Sequence, residues 1–165
     1  MRVLLLTALP LFLLFSSCEK KKQSTPKSTV TGTTNPPAGI NFFFLKKDGV
    51  AFNPSYLEIS DPFGYAVAVA AAETPESNAN VYSLMINKSI PVGTYDYETL
   101  VEEYDCWFSY SAPNFGLYAI NSGTFQITHQ NTSARILQMK FQFEMEDPET
   151  GQTYQVTEGH LKAYY

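Results

Sequence analysis

The chain has 165 residues, of which 44% are hydrophobic, and it carries a net charge of −5 at pH 7. This length and apolar fraction are enough for one hydrophobic core of ordinary domain size. Five of the 11 basic residues but only one of the 16 acidic residues lie before residue 40. The rest of the chain is therefore strongly acidic, which disfavours nucleic acid and anionic lipid as partners of that part.

The first 17 residues predict a signal peptide of the bacterial lipoprotein type. Arg2 supplies a positive charge, residues 3–15 form a nearly continuous apolar run, and Ser16 and Ser17 stand directly before Cys18. A run of about 13 residues fits a signal peptide and is too short to cross a bilayer as a helix. We therefore expect cleavage before Cys18 and a covalent lipid on its sulfur as the membrane anchor, with no other cofactor. The alternative is an ordinary secretory signal, cut near Ser16 or Ser17, that leaves Cys18 as a thiol.

Residues 18–39 predict a flexible tether that begins with Cys18. Three lysines occupy positions 20–22, the segment is then rich in Ser, Thr, Pro and Gly, and Val30 is its only bulky apolar residue. Such a composition buries too little apolar surface to fold, and its prolines favour an extended chain. Because the lysines lie a few residues from the anchor, they suit lipid headgroups or plain solvation better than nucleic acid.

Residues 40–165 predict a single all-β domain. The clearest signal is an alternation in which Leu137, Met139, Phe141, Phe143 and Met145 are separated by polar residues. One apolar face and one polar face are typical of a strand that covers a core. Short strands separated by turns favour an antiparallel β-sandwich, and a lipocalin-like β-barrel is the alternative. Further strands are predicted over residues 42–45, 50–52, 56–59, 65–72, 81–86, 107–110, 117–120, 125–128, 153–157 and 161–165.

Four segments carry more specific predictions. The alanine-rich residues 65–72 predict a central strand that is covered on both faces. Residues 121–123, with the sequence Asn-Ser-Gly, are expected to separate two strands, and Gly159 is expected to interrupt the last one. Only residues 98–104 are expected to form a helical turn or two. Tight turns are predicted at residues 46–49, 61–64 and 147–151.

A set of short motifs runs through the domain in a fixed order. They are Asp48-Gly49-Val50, Gly93-Thr94-Tyr95, the Ser-Gly-Thr-Phe-Gln-Ile-Thr of residues 122–128, the Asp-Pro-Glu-Thr-Gly of residues 147–151, and a last strand that ends on Tyr165. In this order they resemble a family of small Bacteroidota lipoproteins of unknown function, and the resemblance covers residues 40–165. It implies a β-rich lipoprotein domain with no established activity and no catalytic residues to carry over.

Nothing in the sequence predicts catalysis. The chain has no Gly-x-Ser-x-Gly elbow, His-Glu-x-x-His motif, phosphate-binding loop or dinucleotide fingerprint. His129 and His160 lie far apart in strand patterns and are expected to be partly exposed, although a catalytic or zinc role would follow if they met beside a carboxylate. Cys106 has no basic residue near it in sequence and is expected to be a buried apolar side chain rather than a reactive thiol. We therefore expect the protein not to be an enzyme, and a hydrolase is the weaker alternative.

Two features between residues 96 and 118 could bind a ligand. Five carboxylates lie within ten residues, and oxygen-rich loops of this kind bind Ca²⁺, although a solvated acidic loop is the preferred interpretation. The same region is rich in aromatic residues, which either fill the core or stack on sugars and partner proteins. The candidate metal ligands are Asp96, Glu98, Glu102, Glu103 and Asp105. The candidate ligand contacts are Trp107, Tyr110 and Phe115.

The sequence therefore predicts a lipid-anchored protein of the cell envelope with a binding or structural role. Its expected location is the outer membrane, with the periplasmic face preferred over the cell surface because Glu19 is followed by three lysines rather than by an acidic cluster. The expected partners are the membrane itself, through the lipid, and a glycan or another envelope protein. A Ca²⁺- or glycan-binding surface module is the specific alternative to a structural role.

Overall fold

The computed structural model describes residues 39–75, 79–113 and 117–165. The predicted signal peptide, Cys18 and nearly all of the tether lie outside the described residues. The described part contains ten strands and one helix: β1 (Phe42–Lys47), β2 (Val50–Phe52), β3 (Tyr56–Ser60), β4 (Ala66–Ala72), β5 (Val81–Asn87), β6 (Gly93–Asp96), α1 (Tyr97–Tyr104), β7 (Trp107–Ser111), β8 (Leu117–Asn131), β9 (Ile136–Glu146) and β10 (Thr153–Tyr164).

All strand pairs are antiparallel, and they form one curled sheet. The strand order is β2-β1-β10-β9-β8-β7-β5-β4-β3, and β6 pairs with β8 beside this path. The prediction of an all-β antiparallel fold is confirmed. The sheet curls into a half-barrel, which is compatible with both the sandwich and the barrel-like alternative.

The core lies on the concave side of the sheet, where its two halves face each other. The five apolar residues that alternate along β9, from Leu137 to Met145, are all buried, as predicted. Phe125 of β8 stacks on Phe141 and Phe143 of β9 and also contacts Phe108 of β7, at a centroid distance of 4.4 Å. Aromatic rings therefore join the halves of the sheet and supply much of the apolar area that stabilises the fold.

The prediction that residues 121–123 separate two strands is wrong, because β8 runs without interruption from Leu117 to Asn131. The register against β9 shifts between Ile120 and Ser122. Such a bulge inserts one residue, so the inward-facing positions change from even numbers (Tyr118) to odd numbers (Phe125). A Cβ on Gly123 would lie 2.7 Å from side-chain atoms of Phe125 and Phe143. This glycine therefore permits close packing and does not make a turn.

Gly159 is likewise part of one continuous strand, β10, and the predicted interruption there is wrong. The register shifts between Val156 and Gly159, and Glu158 adopts a left-handed φ of 51°. A Cβ at Gly159 would lie 2.3 Å from ring carbons of Phe141. The break in the period-two pattern marks a bulge that lets the strand follow the curl of the sheet.

The helical segment is confirmed as α1, and it is well capped. Asp96 accepts a hydrogen bond from the backbone N–H of Thr99 at 2.8 Å, and Asp105 ends the helix in a left-handed conformation. Leu100 anchors the helix in the core. The short strand β6, directly before the helix, was not predicted, because four residues are too few to show a periodic pattern.

The alanine-rich strand β4 is covered on its inner face, where Val67, Val69 and Ala71 are buried. On the outer face, Ala68 and Ala70 are only half-buried and form part of the floor of a groove. The prediction of a strand covered on both faces is therefore wrong at these two positions.

The helix of the described residues is neither long enough nor apolar enough to cross a membrane.

Candidate functional site

A shallow groove of about 620 Å³ lies on the outer face of strands β3, β4, β5 and β7. Most of its floor consists of small side chains: Ser60 and Ala68 lie side by side in the strand register, with Met85 next to Ala68, and Ala70 and Ser83 form the next row. Trp107 is the register partner of Met85 in the first row, and its side chain forms one side of the groove. We call this surface the Trp107 groove. It is lined by Glu58, Ser60, Pro62, Phe63, Ala68, Val69, Ala70, Ser83, Leu84, Met85 and Trp107.

Large aromatic side chains stand around this floor and remain exposed. Trp107 is 45% exposed and Phe63 62%; Tyr65, which is not part of the lining, is 52% exposed and its ring stacks on Phe63 at a centroid distance of 5.7 Å. Isolated exposed apolar residues are ordinary on protein surfaces, but a contiguous apolar patch marks an interaction site. Trp107 was predicted as a ligand contact, and the structure places it at this groove.

A charged network fixes the turn that carries Phe63 and Tyr65. Lys88 pairs with Asp61, and its ammonium also donates to the Gly64 carbonyl at 3.0 Å. The backbone N–H of Lys88 donates to the Tyr65 carbonyl at 2.9 Å. The hydrogen bond from Lys88 holds the pKa of Asp61 below its usual range. The exposed rings are therefore presented by a turn that Lys88, the residue directly after β5, holds through Asp61 at one end and Tyr65 at the other.

The lining of the groove contains one acidic residue and no basic residue. That residue, Glu58, accepts a hydrogen bond from the Tyr56 hydroxyl at 2.6 Å, and this bond raises the pKa of Tyr56. The other polar side-chain groups are the hydroxyls of Ser60 and Ser83 and the indole N–H of Trp107. An uncharged ligand with hydroxyl groups suits this lining, whereas an anion would find no charged partner in it.

The other two predicted ligand contacts have different outcomes. Tyr110 is 3% exposed and faces the core, where its ring lies between Tyr82 and Tyr118. Its hydroxyl donates to the side chain of Asn80 at 2.7 Å. Phe115 lies outside the described residues, as does Cys18. The structure thus brings Trp107 but not Tyr110 to the open surface.

The acidic segment is largely explained by the helix. Asp96 caps the N-terminus of α1, Glu98 lies in its first turn and Asp105 caps its C-terminus, while Glu102 and Glu103 lie within it. Acidic side chains at a helix N-terminus stabilise the helix dipole. Within residues 39–75, 79–113 and 117–165, no group of three His, Cys, Asp or Glu side chains is arranged to hold a metal ion.

A polar groove of about 600 Å³ lies beside α1, on the outer face of β8, β9 and β10. Two of its three carboxylates have structural partners: Asp96 caps the helix, and Glu144 accepts a hydrogen bond from the side chain of Gln155 at 2.6 Å, while Glu98 lies in the first turn of α1. Because Asp96 and Glu144 serve the fold and most of the lining residues are polar, we favour the Trp107 groove as the candidate site.

The titratable groups with catalytic potential lie apart. His129 is exposed on β8, whereas His160 is buried on β10, so the expectation of two partly exposed histidines is wrong for His160. Cys106 is buried, as predicted; its sulfur accepts a hydrogen bond from the Asn87 N–H at 3.4 Å, and burial raises its pKa to about 11. A thiol with that pKa is not a nucleophile at neutral pH.

Sequence reasoning missed Phe63 and Tyr65. The turn at residues 61–64 was predicted, but its aromatic residue was not singled out. A bulky aromatic ring within a Pro-Phe-Gly turn, where small polar residues are usual, is the signal that could have identified it.

No protein-family model, no curated protein and no solved structure matches the chain.

Proposed function

We propose that this protein is a non-catalytic binding module that is held at the cell envelope by a lipid on Cys18, and that it binds neutral glycans in the Trp107 groove. The observation that carries the proposal is the groove itself: exposed rings around a floor of Ala and Ser, with no basic residue in the lining. The apolar leader that ends in Ser-Ser-Cys, the proline-containing tether and the resemblance to small lipoproteins support the anchor.

A saccharide fits the chemistry of this surface. Pyranose rings have apolar faces of C–H groups that pack against aromatic rings such as Trp107 and Phe63. Their hydroxyl groups can donate to the Glu58 carboxylate and exchange hydrogen bonds with Ser60 and Ser83. The small side chains of the floor let the sugar approach the sheet closely, and the groove volume lies within the range of known ligand sites.

Trp107 provides the test, because it is the only tryptophan of the chain and its fluorescence reports the groove without a label. The ligands to test in parallel are neutral hexasaccharides, such as maltohexaose, cellohexaose and laminarihexaose. We expect at least one of them to shift the emission of Trp107, with a Kd of about 1 mM or lower. Phe63→Ala should weaken this binding about tenfold, since it removes one ring face but keeps the reporter. Val101→Ala removes another exposed apolar side chain, on α1 and away from the groove, and should leave the Kd unchanged.

A second variant separates binding from folding. Ala70→Leu places a larger side chain on the half-buried floor of the groove, where it blocks the ligand without entering the core. We expect this variant to unfold at the same urea concentration as the wild type and to lose the emission change. If every hexasaccharide leaves the emission of the wild type unchanged, or if Ala70→Leu binds as well as wild type, the glycan proposal is wrong.

The anchor has its own test. Cells that express the protein should incorporate labelled palmitate into it, and Cys18→Ala should abolish the label. We also propose that the domain lies on the periplasmic face of the outer membrane. If so, protease that is added to intact cells should leave the domain uncut. Label that persists in Cys18→Ala would refute the anchor, and cleavage in intact cells would refute the periplasmic face.

A further inference from the structure

A second pocket, separate from the Trp107 groove, lies between the β1–β2 hairpin and the inner side of β5 and β7. It encloses about 300 Å³ and has aromatic walls, because Phe52 meets Tyr82 edge to face at 4.9 Å and Tyr82 packs on Tyr110 at 4.6 Å. We call it the Lys47 pocket. It is lined by Lys47, Asp48, Val50, Ala51, Phe52, Glu73, Asn80, Tyr82 and Tyr110.

Lys47 brings a partly buried positive charge to this pocket. Its ammonium lies 4.1 Å from the ring centroid of Tyr154 and 4.8 Å from that of Tyr110, and it donates to the Tyr110 hydroxyl at 3.4 Å. Burial lowers the pKa of Lys47, and the nearby carboxylates, Asp48 first, act in the opposite direction. None of the ion pairs among the described residues includes Lys47. The tyrosine rings stabilise the ammonium but do not neutralise it.

Tyr82 supplies a buried hydrogen-bond donor beside this charge. The residue is 2% exposed, and its hydroxyl has no hydrogen-bond partner in the described part of the chain. Desolvation raises the pKa of Tyr82, so the hydroxyl keeps its proton. Buried polar groups are nearly always paired, and an exception requires an explanation.

The other polar groups of the pocket have partners already. The Tyr110 hydroxyl donates to Asn80, and the Asn80 amide donates to the Glu73 carboxylate at 2.8 Å. The Asp48 carboxylate accepts from the Gln155 N–H at 2.8 Å. The Lys47 ammonium, which has no ion pair among the described residues, and the Tyr82 hydroxyl, which has no hydrogen bond there, are therefore the donors that a ligand can meet, although the Asp48 and Glu73 carboxylates keep acceptor positions beside them.

We propose that the Lys47 pocket binds a small molecule with a single carboxylate and a short apolar body. The carboxylate accepts hydrogen bonds from Lys47 Nζ and Tyr82 Oη, and the apolar body packs on Phe52 and on the exposed side chain of Val50. The pocket volume lies at the lower end of the usual range for ligand sites and therefore limits the ligand to a small molecule. A second negative charge would face Asp48 and Glu73 and is disfavoured. This site shares no residue with the Trp107 groove and does not depend on glycan binding.

The test uses 3-phenylpropionate as the probe and isothermal titration calorimetry as the measurement. We expect a Kd of about 1 mM or lower for the wild type, and binding about tenfold weaker for the uncharged amide of the same acid. Tyr82→Phe removes only the hydroxyl, and Lys47→Met removes the charge but keeps most of the stem; each should weaken binding about tenfold. Lys46→Met is the matched control, because Lys46 is adjacent but pairs with Glu158 at 2.8 Å instead of facing the pocket.

Three results would overturn the proposal. The first is the absence of binding heat when the wild-type protein is titrated with up to about 10 mM probe. A Kd above that concentration would mean that the pocket does not bind the probe specifically. The second is equal affinity for the acid and the amide, which would remove the role of the charge. The third is unchanged binding in Tyr82→Phe, a variant that keeps every ring contact of the core and therefore folds.

Discussion

The unpaired hydroxyl of Tyr82 makes an unusual prediction about stability: its removal should stabilise the protein. In Tyr82→Phe the ring keeps its contacts with Phe43, Phe52 and Tyr110. Only the hydroxyl is lost, and it has no hydrogen-bond partner among the described residues. A hydroxyl buried without a partner costs about 1–3 kcal/mol in proteins, so we expect the free energy of unfolding to rise by about 1 kcal/mol.

Tyr95→Phe is the matched control. Tyr95 is also a buried tyrosine, but its hydroxyl donates to the Pro91 carbonyl at 2.8 Å. Removal of that hydroxyl leaves the carbonyl without its donor, and we expect the free energy of unfolding to fall by about 1 kcal/mol. The same chemical change should therefore have opposite effects at the two positions, about 2 kcal/mol apart.

Urea denaturation of the purified proteins, followed by Trp107 fluorescence, measures this difference. With a slope of about 1.5 kcal/mol per molar urea, the midpoint should rise by about 0.7 M in Tyr82→Phe and fall by about 0.7 M in Tyr95→Phe. If Tyr82→Phe is destabilised as much as Tyr95→Phe, its hydroxyl has a partner in the folded protein. The structural argument for the Lys47 pocket would then fail as well.

Three further predictions concern the thiol, the buried tyrosines and the second bulge. Because burial raises the pKa of Cys106 to about 11, iodoacetamide at neutral pH should not alkylate it until denaturant is added; alkylation of the native protein would contradict its burial. Burial raises the pKa of Tyr95 from 10.0 to about 12 and also raises those of Tyr82 and Tyr110, so the unfolded chain loses its protons first. This contribution to the free energy of unfolding is complete below pH 10 and is lost progressively as pH rises toward 12, and urea midpoints that stay constant between about pH 9 and pH 11 would refute it. Gly159→Ala should lower the free energy of unfolding by about 2 kcal/mol, since its Cβ would lie 2.3 Å from the Phe141 ring; a loss below about 0.5 kcal/mol would show that the bulge can move.

The sequence was informative wherever one strand faces one core. Along β9 the alternation predicted both the strand and its inward residues, because every second side chain of a regular strand points to the same side. It misled at residues 121–123 and at Gly159 for one shared reason. A bulge changes which positions face inward, and on the sequence alone such a change looks like the end of one strand and the start of another.

The candidate sites were harder to predict, because they depend on which strands become neighbours. Trp107 was found from the local wealth of aromatic residues, but its partner Phe63 lies in a turn about forty residues earlier. Lys47 was assigned only to a hairpin turn and Tyr82 only to a strand. Pairing of β5 with β7, and packing of β1 across them, brings Lys47, Tyr82 and Tyr110 together, and the local pattern of none of these strands encodes that register.

In the two proposed sites and the acidic segment, unusual residues fall into two groups: those that the fold explains and those that it does not. Asp96 and Asp105 look like ligands in the sequence, yet they cap the two ends of α1, and the hydrogen bond that Asp96 accepts at the N-terminus stabilises the helix. Ala68 and Ala70 are weak strand formers on an open face, where a β-branched residue would be more stable. Burial of the Lys47 ammonium has a desolvation cost, and no ion pair among the described residues offsets it. Burial of the Tyr82 hydroxyl also has such a cost, and no hydrogen bond among the described residues offsets that one. Departures from local rules that the fold itself does not explain are expected where a protein binds a ligand. By that criterion we propose the Trp107 groove and the Lys47 pocket, rather than the acidic segment, as the candidate sites.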